Sequence, residues 1–302
     1  LQQSLLLTIQ QVIQEYQQQG IKLTNRQLYY QLVAKDLIPN AQEVYKRLCA
    51  FFTDARYGGE IDWDAIEDRG RTQERHAEWN NVKDLVDSAV ASYRLPRWKD
   101  QDYYVELYCE KQAMESVLKP IADKYHLYFG CNKGYSSASA MYELGKRLLE
   151  NTGAEGDTDS GRYERTKEPK EAIILYLGDH DSSGLDMIRD ITERIDEFFH
   201  MGETDYDREF TVVPVALTTE QVRQYNPPPN PAKMTDPRAK SYVNKYGNNS
   251  WELDALNPKI LMHLTEEAIQ NYLDVKKYNA VIEEEKEDTK ALQEFADKLI
   301  KK

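Results

Sequence analysis

Cysteine is scarce in this chain of 302 residues. Cys49, Cys109 and Cys131 form no CxxC pair, which excludes a disulfide framework or a thiolate zinc centre and makes a reducing cytoplasm the expected setting. The five histidines, His76, His126, His180, His200 and His263, show no ligand spacing either, so an imidazole zinc site is not expected. Long apolar runs are missing: the LQQSLLL opening has three leucines but no basic segment before them, so neither a signal peptide nor a membrane span is expected. A GxxxxGK[ST] phosphate loop and a dinucleotide fingerprint are also absent, and nothing reads as an ATP site. Positive charge is in short supply, with 39 Lys+Arg against 52 Asp+Glu for a net charge of −13, the opposite of the basic footprint a nucleic-acid binder usually carries.

The length predicts two domains, each large enough to bury a core. Acidity is concentrated in residues 101–200, with 12 basic and 20 acidic side chains, whereas residues 21–60 are locally basic. Residues 5–19 read as a helix with a Gln-rich face, stopped by Gly20. Thr24-Asn25-Arg26-Gln27 has capping-box form and opens a second helix to about Ala34. A third helix spans Val44 to Phe52, and Gly58-Gly59 with Ile61-Asp62-Trp63 reads as the hairpin wing of a helix-turn-helix derivative. A further helix is predicted over 82–93, and Leu95-Pro96-Arg97 marks a domain boundary.

Beyond that boundary the pattern becomes α/β. Strand-forming runs at 103–108, 126–130, 172–177 and 210–215 alternate with helical stretches at 113–125, 138–150 and 185–199, which predicts a mainly parallel sheet. Residues 151–170 read as a mobile polar insertion, Pro227-Pro228-Pro229-Asn230-Pro231 as a stiff extended segment, and 265–302 as a charged helical tail. The expected organisation is 1–95, 96–264 and 265–302.

Two acidic clusters follow strands, Glu110 after one and Asp179-His180-Asp181 after another. Ligands of open α/β sheets bind beyond the carboxyl ends of strands, and clustered carboxylates with a hard-cation chemistry point to Mg²⁺ held by Glu110, Asp179 and Asp181 for phosphate work. The competing reading has the aspartates merely ending a strand, with Ser182 or Ser183 capping the next helix. On a wheel of the second helix, Leu28 and Leu32 define the buried side, Tyr29 flanks them, and Tyr30 points away with Arg26 one turn before it. Arg26 there could hold a phosphate against the Tyr30 phenol.

The run Thr24-Asn25-Arg26-Gln27-Leu28-Tyr29-Tyr30 resembles the active-site helix of the topoisomerase VI A subunit and the meiotic double-strand-break transesterases. Glu110-Lys111, Asn132-Lys133-Gly134-Tyr135-Ser136, Gly178-Asp179-His180-Asp181-Ser182-Ser183-Gly184 and Trp251-Glu252-Leu253-Asp254-Ala255-Leu256 resemble, in order, that family's Toprim motifs. Ser136 and Ser182-Ser183 depart from the family's Pro and Pro-Tyr. The likeness is strongest to the short stand-alone A-subunit-like proteins of bacteria and mobile genetic elements. The resemblance implies a winged-helix domain followed by a Toprim-type α/β domain, a homodimer on double-stranded DNA near the nucleoid, and a possible separate ATPase B-type subunit. It further implies Mg²⁺-dependent DNA cleavage and religation through a 5′-phosphotyrosyl link at Tyr30, assisted by Arg26 and Glu110, with the tyrosine of one protomer beside the metal site of the other. DNA contacts are expected from Lys22, Arg26, Lys46, Arg47, Arg56 and Lys133. The alternatives are a Toprim-type hydrolytic nuclease, which needs no tyrosine, and a non-catalytic DNA-binding protein.

Overall fold

The computed structural model describes residues 2–62, 65–67, 77–131, 138–152, 154–157, 162–165, 170–199 and 210–300. Helix α1 (Gln2–Gln17) ends at Gly20, whose φ of +74° suits a residue without Cβ. A two-residue strand β1 (Leu23–Thr24) leads into α2 (Asn25–Ala34), followed by α3 (Gln42–Tyr57), β2 (Ile66–Glu67) and α4 (Val82–Ser92). The capping box forms as the sequence predicts: Gln27 N donates to Thr24 Oγ1 at 3.3 Å and Thr24 N to Gln27 Oε1 at 2.8 Å. The expected hairpin wing does not appear among the described residues. Instead β2 pairs parallel with β1, Leu23 opposite Ile66, because Ile66 is buried beside the helices rather than folded back on residues 58–62. Trp63 lies outside the described residues.

The second part is a four-stranded parallel sheet. Its elements run β3 (Tyr103–Cys109), α5 (Glu115–Tyr125), β4 (Tyr128–Cys131), α6 (Ala138–Asn151), β5 (Ala154–Asp157), β6 (Arg162–Arg165), β7 (Glu171–Leu177), α7 (Ser182–Phe199) and β8 (Phe210–Ala216). They continue with α8 (Thr219–Tyr225), β9 (Asn230–Pro231), α9 (Ala239–Tyr246), β10 (Asn249–Ser250), α10 (Pro258–Gln270) and α11 (Val275–Ile300). The strand order is β4-β3-β7-β8. Its central strands β3 and β7 are buried on both faces, which is why they read as continuous apolar runs. Val105, Leu107, Cys109, Ile173, Leu175 and Leu177 face one side, packed with α5 residues Leu118 and Ile121 and with α10 residues Leu261 and Ile269. Tyr104, Tyr108, Ala172, Ile174 and Tyr176 face the other, with α6 and α7. The first of these cores is continuous with Ile9, Leu28 and Phe52 of the amino-terminal helices. The fold is thus mixed α/β, as expected.

Two stretches show structure that the sequence pattern alone does not specify. Within 151–170, β5 and β6 pair antiparallel, Ala154 opposite Arg165, so the polar stretch builds a ribbon of its own. The carboxy-terminal helices start at Pro258, a proline at the first helical turn after an Asn257 cap, and Thr265 is buried in the middle of α10. The acidic α11 returns to the amino-terminal part, where Glu285 accepts from Leu95 N and Arg97 Nη2, both at 2.9 Å.

Candidate functional site

The chain passes from β3 through α5 to β4 at one edge, and from β7 through α7 to β8 at the other. The direction of winding therefore reverses between β3 and β7, and the crevice beyond their carboxyl ends is where an open α/β sheet receives a ligand. Glu110 follows β3 there, and Asp179 and Asp181 follow β7. Each acid is aimed through one oxygen by backbone N–H groups. Glu110 Oε2 accepts from Asp179 N at 3.1 Å, Asp179 Oδ1 from Leu253 N at 2.7 Å, and Asp181 Oδ1 from Ser183 N and Gly184 N at 2.9 and 2.8 Å. Asp181 itself, not Ser182 or Ser183, caps α7. Gly184 is required at this turn, since a Cβ would lie 2.2 Å from the Asp179 carbonyl oxygen.

Burial raises Asp179 to about 7, with Glu110 and Asp254 adding to the shift against the opposing pull of Lys111. Burial likewise raises Glu110, helped by Asp181 and opposed by the Asp179 N–H. His180, between the two aspartates, is no ligand: its ring nitrogens lie 2.9 Å from Tyr242 Oη and 3.0 Å from Thr219 Oγ1.

Lys111 is the centre of a second feature. Its Nζ lies 2.9 Å from Asp179 and Asp254 and 3.0 Å from Glu252. Burial works against its charge, but Asp254, Asp179 and Glu252 outweigh it and hold the ammonium well above the ordinary lysine range. Arg26 enters the same cluster from α2, with Nη2 on Glu252 and Nε 3.3 Å from Asp254 Oδ2. That last pair attracts as charges without hydrogen-bond alignment, since neither atom has a hydrogen-bond partner. Burial opposes ionisation of Glu252, yet Lys111 and Arg26 prevail and lower its carboxyl below the usual range. A continuous polar chain thus links Arg26 on α2 to Glu252, Lys111, Asp179 and Glu110.

Tyr30 lies on the side of α2 away from the leucines, as the helical wheel predicts, but that side is covered too. Tyr30 is 2% exposed and Tyr29 3%, because α2 is covered on both sides. The leucine side packs into the helices, and the Tyr30 side meets β9 and the 3₁₀ turn Leu253–Ala255. Asn230 Nδ2 donates to Tyr30 Oη at 3.0 Å. Burial raises the Tyr30 phenol, with Glu252 adding to the effect and Asn230 opposing it. Tyr29 spends its hydroxyl on the following turn, accepting from Ala41 N at 2.8 Å and donating to Asn40 Oδ1 at 3.0 Å. The Tyr30 ring borders a cavity of about 590 Å³ lined by Arg26, Tyr45, Asn230, Lys233 and Glu252 among others. Lys233 Nζ lies 3.6 Å from Asp181 Oδ2, so this cavity adjoins the carboxylate crevice.

The expected DNA-contacting residues divide. Lys22, Lys46 and Arg47 are exposed. Arg56 donates to Ile66 O at 2.9 Å and serves the β2 connection, and Arg26 is tied into the acidic cluster. Lys133, with the rest of the 132–136 motif, lies outside the described residues. The sequence alone assigns no role to Lys111, Glu252, Asp254, Asn230 or Lys233; a lysine directly after Glu110 and alternating acids at 252 and 254 are the signals that point to the first three.

The three crevice carboxylates supply hard oxygen donors already oriented by backbone N–H groups, which is the chemistry Mg²⁺ takes. Among the described residues no three His, Cys, Asp or Glu side chains converge as a ready-made metal cage. Mg²⁺ commonly uses only one or two carboxylates and completes its shell with water and phosphate oxygens, so the donor set fits. No helix among the described residues is long and apolar enough to cross a membrane. Compared with known protein families and with curated proteins, the chain matches none.

Proposed function

We propose that this protein is a Mg²⁺-dependent DNA-cleaving transesterase resembling the topoisomerase VI A subunit, with a winged-helix-like amino-terminal part and a Toprim-like sheet. The observation that carries the reading is the cavity in which the Tyr30 phenol, Arg26 and Lys233 meet, next to the crevice holding Glu110, Asp179 and Asp181. Tyr30 Oη attacks a DNA phosphorus while the bond to the 3′-oxygen breaks, leaving a 5′-phosphotyrosyl link and a free 3′-hydroxyl. The phenol proton ends on that 3′-oxygen, so the reaction is neutral overall. The covalent link keeps the phosphodiester energy, and resealing is the same exchange reversed. Lys233 supplies positive charge beside the phosphate, and Arg26, held by Glu252 and Asp254, presents its guanidinium at a fixed place. Mg²⁺ held by Glu110, Asp179 and Asp181 offsets negative charge on the phosphoryl oxygens when bound.

The partner is double-stranded DNA, reached through Lys22, Lys46 and Arg47, and the working form is a homodimer; a separate ATPase subunit would add strand passage. The near-complete burial of Tyr30 favours one second reading, hydrolysis at the carboxylate crevice with water as nucleophile. Stopping a DNA reaction with detergent separates the two. Protein covalently attached to 5′ ends, lost in Tyr30→Phe and in Asp179→Ala, supports the transesterase. Cleavage retained in Tyr30→Phe but lost in Asp179→Ala supports the nuclease.

A further inference from the structure

Asn230 donates to the Tyr30 hydroxyl, which the Arg26 guanidinium also meets, and the orientation of the Asn230 amide is fixed from both ends. Asn40 Nδ2 donates to Pro229 O at 2.7 Å, a partner that can only accept, and also to Asn230 Oδ1 at 3.2 Å. The opposite face of the Asn230 amide lies 3.4 Å from Glu252 Oε1, another pure acceptor, so Nδ2 must point that way and toward Tyr30 Oη at 3.0 Å. The backbone beneath it is held as firmly. Pro227, Pro228, Pro229 and Pro231 fix φ on either side of Asn230, β9 pairs with β10, and Ser250 Oγ donates to Asn230 O at 3.3 Å. Little conformational freedom remains to be lost in holding the donor there.

We propose that Asn230 is a catalytic hydrogen-bond donor that positions the Tyr30 phenol and stabilises the negative charge on its oxygen as the proton leaves. The inference rests on Tyr30 being the nucleophile. As the bond from Tyr30 Oη to phosphorus forms and the bond to the 3′-oxygen breaks, the proton passes through solvent to the departing 3′-oxygen. Asn230 gives up no proton and contributes a preorganised N–H dipole. Its donation matters because the charged groups around the phenol are mixed. Glu252 and Asp254 oppose a phenolate, Arg26 over the ring at 5.8 Å favours it, and Lys233 lines the same cavity. The hydrogen bonds distinguish the adjacent tyrosines, which both line the cavity: the Tyr29 hydroxyl is committed to Asn40 and Ala41, whereas the Tyr30 hydroxyl accepts from Asn230.

The test compares Asn230→Ala, Asn230→Asp and Asn230→His in the full chain, on a duplex DNA with Mg²⁺. DNA affinity by fluorescence anisotropy is expected to stay within about twofold for Asn230→Ala and Asn230→His, because a neutral donor to the enzyme's own phenol adds no phosphate contact. The single-turnover rate of covalent-complex formation should fall at least about tenfold in Asn230→Ala, the loss of one hydrogen bond to a developing charge. Asn230→Asp should fall at least as far, as it keeps the shape but replaces the donor with an acceptor. Asn230→His, which keeps an N–H, should recover part of the rate. Without DNA, the Tyr30 signal in a ¹³Cζ-tyrosine NMR titration, identified by its loss in Tyr30→Phe, should titrate higher in Asn230→Ala than in the wild type, because Asn230 holds the phenol down. An unmoved Tyr30 titration in folded Asn230→Ala, or a full rate in Asn230→Asp, overturns the assignment. If Tyr30→Phe cuts DNA normally, the transesterase reading falls on its own, and the titration still decides whether Asn230 donates to Tyr30.

Discussion

Replacing Lys111 with methionine keeps most of the side-chain volume but removes the ammonium that three carboxylates share. Asp179, Glu252 and Asp254 would then face one another with Arg26 alone to offset them, and Arg26 reaches only the last two. Removing one partner of a buried ion cluster costs about 3–5 kcal/mol. For a chain of 302 residues that corresponds to a melting temperature lower by roughly 5–8 °C.

The deficit should depend on pH, and its sign follows from linkage. In the wild type Asp179 is raised to about 7, so its contribution to stability is complete below the ordinary carboxyl value of about 3.9 and is lost as pH rises toward 7. Lys111 pulls Asp179 and Glu252 downward, so without it the raised Asp179 rises further and Glu252 rises from its lowered position. Lys111 itself stays charged across this range and adds no slope. The Lys111→Met deficit should therefore be full at pH 8 and less than half as large at pH 5, where the freed acids take up protons. Denaturant melts at the two pH values in metal-free buffer measure it. Equal deficits at both would assign the loss to packing and refute the electrostatic account, and so would no deficit at all.

Gly184→Ala should destabilise by more than about 2 kcal/mol and abolish cleavage, because its Cβ meets the Asp179 carbonyl at 2.2 Å where backbone must move; a melt matching the wild type would refute this. Glu285→Ala should cost about 1–3 kcal/mol and speed proteolysis near Leu95–Arg97, because it strips acceptors from Leu95 N and Arg97, and limited proteolysis checks it. Mixing Tyr30→Phe with Asp179→Ala tests where the site assembles. Tyr30 borders its own chain's Asn230 and Glu252, whereas the family likeness implies partnership across the dimer, so restored cleavage in the mixture supports assembly between protomers and none supports assembly within one.

Local signals carried furthest in the sequence. The Thr24–Gln27 capping box and the central strands at 103–109 and 171–177 formed as their residues predict, since each is set by neighbours a few positions away or by burial on both faces. Glu110, Asp179 and Asp181 were legible as acids at strand ends. The burial of Tyr30 was not, because a helical wheel contains only one partner surface and the second one, β9, lies 200 residues later in the chain. For the same reason Arg26 looked free to meet phosphate, although Glu252 and Asp254 hold it across 226 and more positions. The hairpin wing does not appear among the described residues for a different cause: the Gly58-Gly59 pair that suggested it ends α3, with Gly58 as its cap.

The most direct measurement is to locate the covalent link. Trypsin cutting after Arg26 and Lys35 releases residues 27–35, which hold both tyrosines. After nuclease trimming of a detergent-trapped DNA complex, tandem mass spectrometry of this peptide should place a nucleotide 5′-phosphate on Tyr30, dependent on Mg²⁺ and absent in Asp179→Ala. An adduct on Tyr29, or cleaved DNA with this peptide unmodified, would contradict the account.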